Sequence, residues 1–231
     1  MKDVPPDEQN EVLREIIKRF KSRRYYSAEE IDNIIESQLA TLSEHLYLLV
    51  ESGDVEEKTV SRVLHILKNR KEWAIERCSE IPFWDNPEAK YLPIMPVISG
   101  EVINIPTLMK MIINDNKPGR SFVEPEKIKD EYEGKGDIEL IYWALDVRMN
   151  ELRYDCPALT VAETIAYILH NPSVLSEYSL DSGGSRYKRA RKKPQLYLRT
   201  VDGYPILYWA SRDYFVPKTI AMPTCSLRLI H

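Results

Sequence analysis

Cysteine, histidine and glycine are scarce in this chain, which contains 3, 4 and 8 of them among 231 residues. The cysteines are odd in number and widely separated, so they predict neither a disulfide framework nor a zinc site of the paired-cysteine type. The histidines form no HxxxH or HExxH pattern. We therefore expect no metal site and no cofactor.

Long apolar runs are also missing. The run over residues 46–50 is far short of the roughly 20 residues that a membrane-spanning helix needs. Residues 1–8 lack the apolar stretch of a secretory signal and have the wrong charge for a transit peptide. These features predict a cytoplasmic protein without a membrane segment.

Amphipathic patterns occupy the first eighty residues. Apolar side chains at helical spacing predict a helix over 7–22. Ser27 and Glu30 have the spacing of a capping box, in which each side chain accepts a hydrogen bond from the other residue's backbone N–H. This pair predicts a second helix over 28–52, ended by Gly53.

A third helix is predicted to begin at the cap-like pair Asp54 and Glu57 and to run toward Pro82. Three helices with short connections indicate an antiparallel hairpin or small bundle over residues 1–81. The second helix carries an almost continuous apolar stripe over 31–49. Such a stripe forms either the protein core or a surface for self-association into a homo-oligomer.

The composition changes after Pro82, where prolines and short strand patterns become frequent. Thr160 and Glu163 form another capping box and predict a helix that stops near Asn171. A short helix is predicted over 107–114. The predicted strands cover 92–98, 138–147, 194–199, 204–210 and 225–230, with Asp202 and Gly203 forming a hairpin turn between the third and the fourth.

These patterns predict the fold class and its division into two regions. We expect an α+β protein in which an N-terminal helical hairpin or bundle, residues 1–81, precedes an α+β domain, residues 82–231. The second region should contain a mixed or antiparallel sheet with flanking helices. Residues 124–139, rich in acidic side chains, are predicted to form a solvated loop or frayed helix.

A cluster of positive charge follows a glycine-serine turn at residues 182–185. Six of the 32 basic residues lie within 186–193, on a chain with a net charge of −4. Such asymmetry predicts an anionic partner for a small surface. The candidate anion-binding residues are Gly183, Gly184, Ser185, Arg186, Tyr187, Lys188, Arg189, Arg191, Lys192 and Lys193.

Three interpretations of this basic segment stay open. In the first, the turn binds phosphate through its backbone N–H groups, the cations follow a nucleic-acid backbone, and Tyr187 or Tyr197 stacks on a base. In the second, the cations contact an acidic protein surface. In the third, the segment is a solvated loop neutralised by the acidic residues of 124–139.

Catalytic groups are harder to find. Cys156, Asp155 and His170 include the residue types of a nucleophile, an orienting acid and a base. His170 is expected about ten residues along a helix from its start, on the order of 15 Å away, so it should not meet Cys156. A histidine at a helix end is more typical of a cap favoured by the helix dipole.

Residues 138–231 resemble the C-terminal region of an uncharacterised, mainly actinobacterial protein family whose function is unknown. The resemblance is carried by a strand, then Leu159-Thr160 with Glu163, His170-Asn171-Pro172, Gly184-Ser185-Arg186, Pro194 before a strand, and an aromatic strand around Trp209. It implies no activity, cofactor or catalytic residue. The predicted function is a binding module for a polyanion, nucleic acid first. A self-associating scaffold and an enzyme with an unrecognised active site are the alternatives.

Overall fold

The structure is a computed structural model. It describes residues 23–80, 83–84, 94–130, 140–147, 159–177, 179–188, 195–210, 219–220 and 225–229. The helix predicted over 7–22 lies outside these residues. The fold class is confirmed, because helices dominate the N-terminal region and small antiparallel or mixed sheets follow.

Six α-helices and fourteen strands are found in the described part of the chain. The helices are α1 Ala28–Glu51, α2 Glu57–Asn69, α3 Lys71–Ser79, α4 Ile105–Met109, α5 Val161–His170 and α6 Val174–Glu177, and a short 3-10 helix covers Pro125–Lys127. The strands are β1 Arg23–Arg24, β2 Phe83–Trp84, β3 Ile94–Ile98, β4 Ile113–Asn114, β5 Lys117–Pro118, β6 Arg120–Ser121, β7 Ile128–Asp130, β8 Ile141–Val147, β9 Ser179–Asp181, β10 Ser185–Tyr187, β11 Gln195–Val201, β12 Tyr204–Ala210, β13 Thr219–Ile220 and β14 Cys225–Leu229.

Helix α1 begins at the predicted capping box. The Ser27 hydroxyl accepts a hydrogen bond from the Glu30 backbone N–H at 3.2 Å, and the Glu30 carboxylate accepts one from the Ser27 N–H at 2.9 Å. Gly53 follows the helix with a φ of +75°, in the left-handed region that glycine adopts without strain. Both ends of this helix are therefore set by local sequence.

The apolar stripe of α1 is core. Six side chains of the stripe are at most 3% exposed: Ile31, Ile35, Leu39, Leu42, Leu46 and Leu49. They pack on the side of α1 that contacts α2, α3 and β3. The interpretation of this stripe as a surface for self-association is wrong, because the same side chains are already buried within the chain.

The third predicted helix is divided in two at Arg70, which separates α2 from α3 with φ −100° and ψ 3°. Its guanidinium Nη1 donates to the Ile141 carbonyl oxygen at 2.8 Å, so the break places this side chain on the sheet. Asp54 does not cap α2. It accepts from the Ser52 hydroxyl at 2.7 Å and pairs with Lys110 at 2.5 Å instead.

Strand β8 is the central strand of a three-stranded antiparallel sheet, between β14 and β3. Tyr142 and Trp143 are at most 1% exposed. The Tyr142 hydroxyl donates to Glu163 of α5 at 3.0 Å, and the Trp143 indole N–H donates to the Leu67 carbonyl of α2 at 3.1 Å. Because adjacent strand residues point to opposite faces, β8 is tied to a helix on each side.

Strand β3 lies at an edge of the same sheet and contains Pro96. Proline has no N–H to donate, and an edge strand tolerates this loss. The prediction of an extended or edge strand over 92–98 is therefore confirmed for Ile94–Ile98. The predicted buried strand over 138–147 is likewise confirmed for Ile141–Val147.

The second large sheet has five strands in the order β13-β9-β11-β12-β6. Its centre is the predicted hairpin of β11 and β12, whose turn residues Asp202 and Gly203 have φ values of +51° and +82°. Positive φ at both positions is the type I′ geometry that matches the twist of paired strands. The Asp-Gly dipeptide therefore sets this register.

Two predictions, over residues 107–114 and 124–139, are wrong in part. The helix predicted over 107–114 covers Ile105–Met109, and the chain beyond it enters the β4–β5 hairpin, whose turn residues Asp115 and Asn116 adopt φ values of +47° and +61°. Aspartate and asparagine tolerate this conformation better than most residues. The acidic segment is structured where it is described, since the 3-10 helix is followed by β7.

The helical region and the sheets share one hydrophobic core cluster, and α1 and α2 contact β3 and β8. The division of the chain at residue 81 stays a prediction.

The Trp143→Phe substitution should lower the free energy of unfolding by about 2–4 kcal/mol, because it removes a buried hydrogen bond and leaves a cavity. Trp73→Phe is the matched control, since Trp73 is only partly buried. Urea unfolding of both variants measures the difference. Equal losses of unfolding free energy in the two variants would show that the buried hydrogen bond of Trp143 adds nothing beyond the effect of the smaller side chain.

Candidate functional site

The basic segment begins in β10, which pairs with β7 in an antiparallel ribbon. Arg186 lies opposite Lys129, and the Lys188 N–H donates to the Lys127 carbonyl at 2.8 Å, which extends the pairing by one position. Arg186, Lys188 and Lys129 are exposed, whereas Tyr187 is buried. The ribbon thus has one exposed face that carries Lys129, Arg186 and Lys188, here called the cationic face.

The other side of the ribbon is fixed to the N-terminus of α5. The Ser185 hydroxyl accepts from the Val161 N–H at 2.8 Å and donates to the carboxylate of Asp130 in β7. The same helix end has the capping box that the sequence predicts, in which the Glu163 carboxylate accepts a hydrogen bond from the Thr160 N–H at 2.8 Å. Strand β10 is therefore held by a helix end whose capping groups are buried, and β7 is held through Ser185.

The glycine-serine turn does not present the backbone amides of Gly184 and Ser185 to an anion. The Gly184 N–H donates to the Leu159 carbonyl at 3.0 Å, and the Ser185 N–H donates to the Ser182 carbonyl at 3.0 Å. Gly184 and Ser185 are buried, and Gly183 is exposed. The hypothesis that Gly184 and Ser185 bind phosphate through their N–H groups is wrong, because these two donors serve the fold.

The tyrosines also differ from the prediction. Tyr187 is 6% exposed and stacks on Trp209, with ring centroids 5.9 Å apart and an interplanar angle of 13°. Tyr197 is 6% exposed and stacks on Tyr208 at 5.7 Å and 29°. Neither ring is open to a base, so the hypothesis that Tyr187 or Tyr197 stacks on one is wrong. Their role is to pack the buried side of the ribbon and the β11–β12 hairpin.

Carboxylates of the acidic segment lie near the ribbon. Glu124 pairs with Lys127 at 2.5 Å and is 3.4 Å from the Tyr187 hydroxyl. The hydrogen bond from Lys127 is the main reason that the pKa of Glu124 is lowered, and the same bond raises the pKa of Lys127. Neutralisation of the remaining cations by residues 131–139 stays a hypothesis, because those residues lie outside the described part of the chain.

The structure adds one residue to the candidate site and leaves others undescribed. Arg189, Arg191, Lys192 and Lys193 lie outside the described residues. Lys129 was missed because it lies in a segment dominated by acidic residues. The alternation Ile128-Lys129-Asp130 is a weak strand signal that could have placed its side chain on an exposed face.

The structure does not test the catalytic grouping of Cys156, Asp155 and His170. Cys156 and Asp155 lie outside the described residues, and Glu163 is fully buried as a cap. His170 ends α5 as expected, but burial lowers its pKa to about 4, with a smaller effect from the positive charge of His45. The dipole explanation for His170 is wrong, since an imidazole that is neutral at pH 7 has no charge for the dipole to stabilise.

Three further observations concern sites that the described residues could form. Burial raises the pKa of the Cys78 thiol to about 12, so this side chain is protonated and a poor nucleophile. No three histidine, cysteine, aspartate or glutamate side chains of the described ranges come together to hold a metal ion. None of the described helices is long and apolar enough to span a membrane.

Comparison with protein-family models, with curated proteins and with solved structures gives no significant match. The resemblance of the C-terminal region to an actinobacterial family stays a prediction. Function is therefore inferred from the geometry of the described residues.

Stability should fall between pH 7 and pH 5 because of His170. Its pKa is about 6.5 in an unfolded chain and about 4 in the fold, so the unfolded state binds the proton first and is favoured as the pH decreases. This effect should amount to about 2 kcal/mol at pH 5.

The His170→Gln variant should lose less stability than the original protein over that pH range, as measured by urea unfolding at both pH values. His65→Gln is the control, because His65 is exposed on α2. A His170→Gln variant with an unchanged pH dependence would contradict the assignment.

Proposed function

We propose that the protein is a cytoplasmic binding module for a polyanion, nucleic acid first, and that the cationic face is its contact surface. The observation that carries the proposal is the register of the β7–β10 ribbon. It brings Lys129, from a part of the chain in which acidic residues outnumber basic ones, directly opposite Arg186. The sequence continues this charge beyond Lys188 with the four further cations at 189–193.

Like charges directly opposite each other on two strands destabilise a sheet, by up to about 1 kcal/mol. An anion that contacts both removes this repulsion. The pairing of Arg186 with Lys129 therefore fits a ligand with several negative charges. Contacts of this kind involve the charges themselves and require no base recognition.

The anchoring of the ribbon supports the same function. Ser185 binds the N-terminus of α5 and Asp130 on the buried side, while Lys129, Arg186 and Lys188 are exposed on the other. A ligand can therefore meet the exposed side chains while these anchoring bonds stay in place. Electrostatic contacts of this kind weaken steeply with salt, since phosphate binding releases condensed counterions.

Neighbouring structure limits how much of this charge is available. Lys127, opposite Lys188, already pairs with Glu124, so it should contribute little to binding. The stripe of α1 gives no support to the alternative of a scaffold, because it is buried.

The double substitution Lys129→Glu with Arg186→Glu should weaken binding to labelled DNA roughly tenfold or more at about 50 mM salt. The loss should occur with both single- and double-stranded probes. The matched control is Lys68→Glu with Arg62→Glu, which changes the net charge equally through exposed residues of α2. Fluorescence anisotropy measures the affinities.

The control variant should bind within about twofold of the original protein, because its substitutions lie outside the ribbon. Equal losses for the two double variants would assign binding to net charge and contradict a defined surface. If neither the single-stranded nor the double-stranded probe binds at low salt, the proposal is refuted. Circular dichroism confirms that both variants are folded.

A further inference from the structure

Strand β12 shows which side of the five-stranded sheet faces outward. Pro205 and Leu207 are buried, whereas Tyr204, Ile206 and Tyr208, which alternate with them, are only partly buried. Because alternate residues of a strand point to opposite sides of a sheet, the three partly buried side chains belong to one outer face. Residues opposite them on β11 and β6 share this face, since directly opposite side chains lie on the same side of a sheet.

Two arginines lie on this outer face, one on either side of Ile206. Arg199 of β11 and Arg120 of β6 are both register partners of that residue. The Cζ atom of Arg120 lies over the Tyr204 ring, 3.8 Å from its centroid, and that of Arg199 lies over the Tyr208 ring at 4.7 Å. A guanidinium over an aromatic ring still has N–H groups at its edge, and these suit a phosphate or a carboxylate.

Carboxylates of the described residues do not occupy these two guanidinium groups. The ion pairs found in the described part of the chain include neither Arg120 nor Arg199. This holds although the register places Asp181 of β9 on the same face, opposite Tyr197. Arg120 is exposed and Arg199 is partly buried, so Arg120 is the more accessible of the two to an anionic ligand.

Phe122 extends the outer face beyond the end of β6. It is 66% exposed, the largest exposed fraction among the large hydrophobic residues that the structure describes. Its backbone is nevertheless fixed, because the Phe122 N–H donates to the Leu207 carbonyl at 2.9 Å and the next residue, Val123, is buried. Residues two apart on a strand point to the same side and are separated by roughly 7 Å. The sheet thus presents an exposed aromatic ring, on a fixed backbone, beside the cation of Arg120.

An aromatic ring beside a cation suits a ligand that carries a phosphate next to a planar base. Proteins that bind single strands combine cations along the backbone with aromatic side chains on which the bases stack. Sites for small ligands are concave and enclose most of the ligand, whereas Phe122 is largely open to solvent, so a strand lying across the sheet fits better than a free nucleotide. A base in a duplex must leave its stack before a protein side chain can cover its face. The exposed ring therefore favours an unpaired base.

We infer that the outer face of the five-stranded sheet binds single-stranded nucleic acid, with a base stacked on Phe122 and phosphates in contact with Arg120 and Arg199. The class of ligand rests on the proposed function, whereas the residues differ from those of the cationic face. Charge on the cationic face attracts any polyanion. Stacking on Phe122 requires a base, so the two surfaces respond differently to substitution.

The Phe122→Ala variant should bind a labelled oligothymidine about fivefold or more weakly at about 50 mM salt, because one stacked base is lost. Its salt dependence should stay unchanged, since no charge is removed. Phe122→Trp should keep the affinity, because the indole ring also stacks. The matched control is Tyr25→Ala, since Tyr25 is 62% exposed and lies outside the five-stranded sheet. Fluorescence anisotropy should show that the control binds within about twofold of the original protein.

The double substitution Arg120→Gln with Arg199→Gln should instead change the salt dependence. Each phosphate contact with a single strand contributes about −0.7 to the slope of log affinity against log salt, so the slope should become shallower by about 1 to 1.5. Arg62→Gln with Lys68→Gln, both on the exposed side of α2, is the control and should leave the slope unchanged. Circular dichroism checks that all variants are folded.

The outcomes separate this surface from the cationic face. An oligothymidine affinity that Phe122→Ala leaves unchanged, or a duplex affinity that it lowers by the same factor, would overturn the inference. Binding of AMP as tight as that of the oligothymidine would also overturn it. Weaker binding in Phe122→Ala, with none in the Lys129→Glu and Arg186→Glu variant, would support this surface and contradict the cationic face. No binding of any nucleic-acid probe at about 50 mM salt would refute both.

Discussion

The fold depends on the attachment of strand β8 to a helix on each of its faces. Tyr142 donates to Glu163 of α5, and Trp143 donates to the Leu67 carbonyl of α2. The Arg70 guanidinium adds a third bond from the helices to the strand, at the Ile141 carbonyl. A hydrogen bond between buried groups is costly to lose, because the partner left behind stays unsatisfied. These contacts fix the helical region and the three-stranded sheet in one arrangement.

The same arrangement positions the candidate site. Glu163 is shared, since one of its oxygens accepts from Tyr142 and the other from the Thr160 N–H that opens α5. The next N–H of that helix start, at Val161, donates to Ser185 of the ribbon. A continuous series of buried hydrogen bonds therefore runs from β8 through the α5 N-terminus to β10, and the cationic face lies on the far side of its last member.

Structural features that depend on a few adjacent residues could be predicted from the sequence, and contacts between distant segments could not. Capping boxes at Ser27 and Thr160 and the Asp202-Gly203 turn depend on a few adjacent residues, and all three appear in the structure. The β7–β10 pairing joins Asp130 to Ser185, 55 residues apart, and no local pattern specifies which strands pair. Helical periodicity likewise shows that α1 has an apolar side without showing whether the same chain or another copy covers it.

The anchoring of the ribbon has a consequence for the thermodynamics of binding. A basic segment that is disordered before it meets its ligand loses conformational entropy on binding, and this loss subtracts from its affinity. The backbone that carries Arg186 and Lys129 is already ordered by the Ser185 bonds and by the stacked Tyr187 ring. Folding has therefore already ordered most of this backbone, and the surface would be preorganised for the polyanion proposed as its ligand.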